Sequence, residues 1–131
     1  MTEYILEKDF KEIYEMGPQI GKGLFGNIKL AFNKNSNRVC ALKTISKDLL
    51  IKYKKESCAL REKKALTRVF KHPLFAQLFD YRQTEHHIYF ELSYECRHDI
   101  TPYIEKLGGF CKETAKFYSA EVACAIEYLH I

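Results

Sequence analysis

The chain has 131 residues, of which 47% are apolar and 14% aromatic, and its formal net charge is +4. This length fits one domain or part of one, and it is long enough to bury a hydrophobic core. The mild positive charge comes without the basic–aromatic repeats or zinc-finger spacings of nucleic-acid-binding proteins. No apolar run approaches a membrane span, and the polar N-terminus lacks the apolar part of a signal peptide. We therefore expect no nucleic-acid partner and no membrane segment.

The cysteines bear on the redox environment and on metal binding. There are five of them, an odd number, and no two have the C-x-x-C spacing: Cys40, Cys58, Cys96, Cys111 and Cys124. This pattern argues against a disulfide scaffold and against a zinc site. We expect a reducing, cytoplasmic location and no metal bound by the residues of this chain.

The first half of the chain predicts strands around a glycine-rich loop. Residues 27–32 alternate polar and apolar side chains, which is the period of a half-buried strand, and residues 39–45 are nearly continuously apolar. In order, the segments are a strand at Glu15–Ile20, the loop Gly21–Gly26, a strand at Asn27–Phe32, a turn at Asn33–Asn37 and a strand at Val39–Ile45.

A helix and two more strands follow. Ser57–Phe70 has the helical period, with Ala59, Leu66 and Val69 on one side and basic residues on the other. The dipeptide His72-Pro73 should end this helix. Leu78–Tyr81 and His87–Leu92 read as strands. The basic face fits either a solvated helix surface or a docking surface for an anion.

From about residue 93 the pattern is helical only. Thr101-Pro102 predicts a helix start with Thr101 as the N-cap, and Gly108-Gly109 predicts its end. Glu113–Leu129 predicts a longer helix with an apolar stripe. The fold class is therefore α+β, with a five-stranded antiparallel sheet and one crossing helix. We place an N-terminal extension at 1–13, a small lobe at 14–92, and a connecting segment with the first two helices of a large lobe at 93–131.

The glycine loop and two charged residues predict a site for nucleotide phosphates. G-x-G-x-x-G is also the signature of a dinucleotide-binding turn, and Asp48 lies at a tolerable distance for that alternative. The dinucleotide turn requires a helix after the loop, whereas residues 27–32 read as a strand. A loop that closes a hairpin offers no helix dipole and needs a cation, which Lys43 could supply. Glu62, on the following helix, could pair with this lysine.

These residues resemble the small lobe of a eukaryotic protein kinase. The family pattern G-x-G-x-x-G-x-V appears as Gly21–Ile28, and the V-A-I-K strand appears as Cys40-Ala41-Leu42-Lys43. The segments Ala41–Lys47, Glu62–Leu66 and Phe117–Glu121 are similar to the AGC group of serine/threonine kinases. The segments Tyr89–Tyr94 and Phe110–Thr114 are most similar to the 3-phosphoinositide-dependent protein kinase-1 type.

The resemblance implies a set of ATP contacts. Lys43 would contact the α- and β-phosphates and pair with Glu62, while Phe25 would cap the tip of the loop. Leu92 would be the gatekeeper beside adenine, and Asp99 would meet the ribose. The remaining implied contacts are Gly21, Gly23 and Gly26 at the phosphates, Ile20, Ile28 and Ala41 around adenine, and backbone groups of Ser93 and Glu95 at the adenine edge.

The resemblance also implies a docking groove between the Glu62 helix and the sheet. In relatives this groove takes a phosphorylated hydrophobic tail motif of a substrate kinase, so the protein partners could be other AGC kinases. Tyr81 stands where relatives have a smaller residue and could partly fill the groove. The alternative is ordinary lobe core with surface lysines. The candidate residues are Lys47, Leu50, Ile51, Ala59, Lys63, Gln83, Ile88 and Phe90.

The sequence lacks the motifs that carry kinase chemistry. No H-R-D-x-x-x-x-N loop occurs, and the one D-F pair, Asp9-Phe10, is followed by lysine and precedes the glycine loop. We expect these 131 residues to be the front half of an ATP- and Mg-dependent protein serine/threonine kinase, inactive alone, with its Mg ligands elsewhere. We also expect the stripe on the last helix to be left uncovered. The alternative is a catalytically inactive small-lobe module that docks kinase tails or partners.

Overall fold

The structure is a computed structural model that describes residues 3–96 and 99–130. Arg97 and His98 lie outside the described residues, as do the first two residues and Ile131. The strands are β1 Glu3–Tyr4, β2 Tyr14–Lys22, β3 Gly26–Asn33, β4 Arg38–Ser46, β5 Leu78–Gln83 and β6 His87–Leu92. The helices are α1 Glu7–Ile13, α2 Lys47–Lys52, α3 Glu56–Arg68, α4 Thr101–Leu107 and α5 Lys112–His130.

The strands form one sheet in the order β1-β5-β6-β4-β3-β2. The five predicted strands pair antiparallel and are confirmed, with ends that differ from prediction by up to two residues. The sequence reading missed the two-residue β1, which pairs parallel with β5. The antiparallel order places β4, which carries Lys43, in the middle of the sheet between β3 and β6.

Alternation along the strands gives the sheet two buried faces. On one face lies a buried cluster of Phe10, Tyr14, Ala31, Cys40, Leu42 and Tyr89. On the opposite face lies a second buried cluster of Ile45, Leu50, Ala59, Ile88 and Phe90. Successive side chains of a strand point to opposite faces, so Leu42 and Lys43 contribute to different faces. We call these the outer face and the inner face, and the phosphate-site residues belong to the inner one.

Helix α1 covers the outer face and was not predicted. Phe10 is buried and stacks on Tyr89 with ring centroids 3.9 Å apart. Leu6, Phe10 and Ile13 lie four and three residues apart, which is a helical period that could have revealed the helix. The N-terminal extension is therefore packed on the sheet as part of its core.

Helices α2 and α3 cover the inner face. Helix α2 was also missed, although Ser46 is a recognisable N-cap whose Oγ accepts a hydrogen bond from the Leu49 amide at 3.3 Å. Helix α3 begins one residue before the predicted start and ends two residues earlier than predicted. Its predicted faces are confirmed, since Ala59 and Val69 are buried while Arg61, Lys64 and Arg68 are exposed.

The two C-terminal helices follow the sheet. The N-cap of α4 is Ile100, so the prediction of Thr101 as the cap is wrong. Asp99 provides the cap-like contact, because its Oδ1 accepts from the Thr101 amide at 2.8 Å. The predicted glycine stop is confirmed, with Gly108 in the left-handed region at φ 71°. No residue of α5 is buried, and its apolar stripe is largely exposed.

Candidate phosphate and nucleotide site

The glycine loop is the tight connection between β2 and β3. The Gly23 amide donates to the Gly26 carbonyl at 2.9 Å and closes the turn. At Gly26 an added Cβ would lie 1.7 Å from the Thr44 carbonyl oxygen, so only glycine fits where β3 passes β4. At Gly23 the nearest atom to an added Cβ would be 3.9 Å away. Packing within the chain therefore explains glycine at Gly26 and leaves the space at Gly23 open.

The tip of the loop differs from the expected arrangement. Leu24, 89% exposed, is the residue that projects from the tip. Phe25 turns toward the protein, where it packs against the inner-face cluster and lies 6.5 Å from Tyr53, ring centroid to ring centroid. Phe25 therefore does not cap the tip in this structure. Its carbonyl accepts from the Ser46 amide at 2.8 Å and ties the loop to the end of β4.

Lys43 and Glu62 meet beneath the loop. The Lys43 Nζ lies 2.6 Å from the Glu62 Oε1, and the two side chains are 28% and 33% exposed. Lys43 is opposite Ile28 on β3 and Phe90 on β6, so its stem runs over apolar neighbours. The pair lines a cleft of about 60 Å³ together with loop residues Gly23 to Asn27 and Ile45. The structure thus brings together a fixed ammonium group and the backbone of a glycine loop.

The expected adenine residues fall on neighbouring strands beside the cleft. Ala41 is opposite Leu92 on β6, and Ile28 is opposite Gly21 on β2. Ala41 is buried, whereas Ile20 is 40% exposed at the end of β2. These apolar side chains therefore lie on neighbouring strands near Lys43. Apolar side chains of this kind suit the flat face of a base.

The connecting segment after β6 is held by Gln77. The Ser93 amide donates to the Gln77 carbonyl at 2.8 Å, and the Ser93 Oγ accepts from the Gln77 amide at 3.0 Å. The Ser93 Oγ in turn donates to the Glu95 Oε1 at 3.1 Å. Because the Ser93 amide donates to Gln77, the backbone group of Ser93 expected to contact a ligand is its carbonyl. Asp99, expected at the ribose, is exposed, and its Oδ1 accepts from the Thr101 amide at the start of α4.

The comparisons with known proteins agree with this geometry. The protein kinase domain pattern matches residues 14–131, which is most of the chain. The chain belongs to the protein kinase family. Human 3-phosphoinositide-dependent protein kinase 1 is 34% identical over 119 residues, covering 91% of this chain and 21% of the human protein.

Two further relatives show how much of a kinase is present. The serine/threonine-protein kinase ksg1 of Schizosaccharomyces pombe is 35% identical over 117 residues, which are 89% of this chain and 20% of ksg1. Protein kinase C-like 1B of Caenorhabditis elegans is 34% identical over 111 residues, which are 85% of this chain and 16% of that protein. The chain thus spans about a fifth or less of the length of these kinases.

The candidate groove residues separate into a buried group and an accessible group. Leu50, Ala59, Ile88 and Phe90 belong to the inner-face core and are at most 8% exposed. Ile51 is 61% exposed, and Lys63 and Gln83 are half-buried. The Lys47 Nζ donates to the Thr84 carbonyl at 2.5 Å and lies 5.3 Å from the centre of the Tyr4 ring. Tyr81 covers Phe90, so the buried group forms a floor beneath Tyr81.

Two polar clusters on the outer face escaped the sequence reading. Glu91 is 2% exposed, and its Oε2 accepts from the Tyr14 hydroxyl at 2.5 Å and from the Asn33 Nδ2 at 2.9 Å. Burial and the Glu91 carboxylate hold the pKa of Tyr14 well above its usual range. These partners lie 77 and 58 residues from Glu91 in sequence, so no local pattern reveals them.

The second cluster surrounds Glu7 of α1. Its Oε1 accepts from the Thr84 hydroxyl at 2.5 Å and lies 3.4 Å from the His87 Nδ1. The Tyr89 hydroxyl donates to the Glu7 Oε2 at 3.5 Å. Burial acts to raise the pKa of Glu7, but these hydrogen bonds and the His87 charge outweigh it and lower the pKa. Burial and the Glu7 charge in turn raise the pKa of Tyr89 to about 12.

The described residues hold neither a cluster of metal ligands nor a membrane-spanning helix. Within residues 3–96 and 99–130, no three histidine, cysteine or carboxylate side chains are grouped closely enough to hold a metal ion. Across the part of the chain that the structure describes, no helix has both the length and the apolar character needed to cross a membrane.

Proposed function

We propose that this chain is the ATP-binding front half of a protein serine/threonine kinase, which transfers the γ-phosphoryl group of ATP to serine or threonine residues of proteins. The single observation that carries the proposal is the Lys43–Glu62 pair at 2.6 Å beneath the glycine loop. A lysine held by a helix glutamate is the group that protein kinases aim at the ATP phosphates. Membership of the protein kinase family supports the same activity.

Each part of ATP has a proposed contact in this arrangement. The triphosphate lies under Gly21, Gly23 and Gly26, with its α- and β-phosphates on Lys43. The open space at Gly23 suits close approach of phosphate oxygens, because no side chain stands there. Adenine packs between Ile20, Ile28 and Ala41 on one side and Leu92 at the back, with its edge on backbone groups of Ser93 and Glu95. Asp99 meets the ribose.

The donors present fit the nucleotide better than they fit its metal. An ammonium group and loop amides bind anions, whereas Mg²⁺ takes carboxylate, carbonyl and water oxygens. Mg²⁺, when bound with ATP, would supply positive charge to neutralise the phosphates. Glu62, a carboxylate that lines the cleft, is already paired with Lys43. We therefore place no metal ligand in these residues.

The experiment is a calorimetric titration of the purified chain with ATP. We expect wild type to bind, and Lys43→Met to lose about tenfold or more in affinity, because hydrogen bonds to charged groups contribute about 1.5–3 kcal/mol. Lys64→Met is the matched control, since it removes the same charge from the exposed side of α3. Equal affinities of wild type and Lys43→Met would overturn the proposal.

We also propose that the substrates include other AGC kinases that dock by a phosphorylated hydrophobic tail. The accessible rim of the docking site would be Ile51, Lys63 and Gln83, with Lys63 near the phosphate. An aromatic side chain of the tail could reach the floor only after Tyr81 moved. We expect a phosphorylated tail peptide to bind Tyr81→Thr more tightly than wild type in an anisotropy titration. Weaker binding to Tyr81→Thr would contradict this docking mode.

The proposed location is a reducing intracellular compartment. All five cysteines are free thiols, and Cys40 is fully buried in the outer-face core. Burial, together with the nearby Glu91, raises the pKa of Cys40 to about 11, which disfavours its thiolate.

A further inference from the structure

Tyr81 occupies the inner face beside the Lys43 strand. It is opposite Phe90 in the β5–β6 pairing, and Phe90 is opposite Lys43 in the β4–β6 pairing. The rings of Tyr81 and Phe90 meet edge to face with centroids 5.1 Å apart. Because the same face of each strand is involved, Tyr81 and Lys43 lie on either side of Phe90. Tyr81 is therefore one strand further from the ATP cleft, with Phe90 as its support.

Helix α3 touches this row of residues at two consecutive positions. Glu62 pairs with Lys43 at 2.6 Å, and the next residue, Lys63, places its Nζ 3.9 Å from the centre of the Tyr81 ring. Consecutive helical residues diverge by about 100° around the axis, so these two side chains reach apart to strands β4 and β5. The helix is thus held from two directions across Phe90.

The apolar attachment of α3 leaves its rotation less well defined. Ala59 is its one residue in the inner-face cluster, and Leu66 packs partly against that cluster. Because alanine carries a single methyl group, this contact alone constrains the rotation of α3 about its axis only weakly. A cation held over an aromatic face adds a directional contact. The Lys63–Tyr81 contact can therefore set which way the Glu62 side chain points.

We propose that Tyr81 is a positioning residue, which acts through Lys63 to hold α3 in the rotation at which Glu62 reaches Lys43. The inference rests on the proposed ATP site, because the Lys43–Glu62 pair matters for function only if Lys43 binds phosphate. It predicts that the ring face of Tyr81 is required and that its hydroxyl is not. It also predicts that the charge of Lys63 is required.

Four single variants of the chain test this. Tyr81→Phe keeps the ring face, whereas Tyr81→Leu keeps only apolar volume. Lys63→Arg keeps the cation, whereas Lys63→Met keeps only the stem. The first readout is amide hydrogen exchange by mass spectrometry, which follows α3 without any nucleotide. The second readout is the Kd for ATP.

We expect Tyr81→Leu and Lys63→Met to exchange faster in α3, with unchanged exchange in β4, and to bind ATP about three- to tenfold more weakly. Tyr81→Phe and Lys63→Arg should match wild type in both readouts. Lys63 has contacts besides Tyr81, so the double variant Tyr81→Leu/Lys63→Met is also needed. Its loss should be no larger than that of the Tyr81→Leu variant if the two residues act as one unit.

The outcomes separate this inference from the proposed function. If wild type binds no ATP, the proposed function fails, and α3 exchange alone decides whether Tyr81 holds the helix. If wild type binds ATP and Tyr81→Leu equals Tyr81→Phe in both readouts, the inference is overturned. If Tyr81→Leu does not fold, the Lys63 variants decide, and equal exchange and affinity for Lys63→Met and Lys63→Arg overturn the inference.

Discussion

Gly23 and Gly26 have different reasons to be glycine, although they belong to the same motif. At Gly26 the obstacle is the backbone of β4, since an added Cβ would overlap the Thr44 carbonyl oxygen. At Gly23 the nearest atom to an added Cβ, the Gly26 carbonyl oxygen, is 3.9 Å away, so a methyl group fits there without overlap. Glycine at Gly26 is therefore required by the fold, whereas glycine at Gly23 leaves space for the proposed ligand.

Alanine at each position separates these two reasons. We expect Gly26→Ala to lower the free energy of unfolding by about 1–3 kcal/mol, because β3 must move away from β4. Gly23→Ala should be as stable as wild type or slightly more stable, because alanine restricts the unfolded chain. It should nevertheless bind ATP more weakly, because its methyl group enters the space proposed for phosphate. Urea denaturation and ATP titration of both variants measure the two effects.

The reverse pattern would contradict this division. A stable Gly26→Ala would show that the strands tolerate the methyl group. A Gly23→Ala variant with wild-type affinity for ATP would show that phosphate does not approach that residue.

Tyr14 and Glu91 form a buried polar pair on the outer face. The Tyr14 hydroxyl donates to the Glu91 carboxylate at 2.5 Å, and Asn33 supplies the second donor. Tyr14→Phe removes one donor and leaves a buried carboxylate less satisfied. We expect a loss of about 1–3 kcal/mol in the free energy of unfolding, measured by urea denaturation. Tyr103→Phe, which removes the same atom from a 48% exposed residue, is the control and should change little. Equal effects of the two variants would contradict a structural role for the pair.

At the scale of elements, helix α1 makes the N-terminal extension part of the small-lobe sheet. Phe10 stacks on Tyr89, and Glu7 accepts hydrogen bonds from Thr84 and Tyr89. The extension also continues the sheet through β1 on β5, with the Ile5 amide donating to the Gln83 carbonyl at 2.9 Å. Strands β5 and β6 are thus held by α1 on the outer face and by α3 on the inner face.

The Glu7 contacts should make the attachment of α1 depend on pH. The folded-state pKa of Glu7 lies below the ordinary value of 4.5. Its contribution to stability is therefore present above the unfolded-state pKa and is lost as pH falls through the lower folded-state pKa. We expect the stability advantage of wild type over Glu7→Gln to be larger at about pH 6 than at about pH 3. Urea denaturation at both pH values measures it, and a constant difference would contradict the role of the carboxylate.

The elements differ in how well the sequence predicted them, for physical reasons. The strands around the glycine loop were predicted from local patterns of apolar and polar residues, and the pairing of Lys43 with Glu62 from their spacing, although helix α2 between β4 and α3 was missed. Helix α1 was missed because it has only seven residues, which is too short for a clear apolar pattern. The packing of its Phe10 on Tyr89, a residue far away in the sequence, stabilises it. The Glu91 cluster was missed because three distant segments supply it. The prediction of Thr101 as the cap failed because the helix begins one residue earlier, with Ile100 as the N-cap and the Asp99 carboxylate accepting from the Thr101 amide.

At the scale of the whole molecule, the apolar residues of the sheet are covered, whereas those of α5 are largely exposed. The sheet is covered by helices on both faces. In α5, by contrast, Phe117, Val122 and Ile126 are 59%, 57% and 46% exposed. This exposure agrees with the uncovered stripe that the sequence predicted for the last helix.

The presence of the proposed ATP-binding residues and the absence of the catalytic motifs together predict the activity of the purified chain. The residues proposed to bind ATP are assembled around Lys43 and Glu62. The sequence contains no H-R-D-x-x-x-x-N and no D-F-G motif, which in protein kinases supply the base and the metal ligands. Without these groups the chain has neither the aspartate that accepts the proton of the substrate hydroxyl nor the ligands that hold the metal on the phosphates. We therefore expect the 131-residue chain to bind ATP but to transfer no phosphate above a Lys43→Met control, measured with radiolabelled ATP and a generic protein substrate. Turnover above that control would mean that a carboxylate of this chain, such as Asp99, can act as the base.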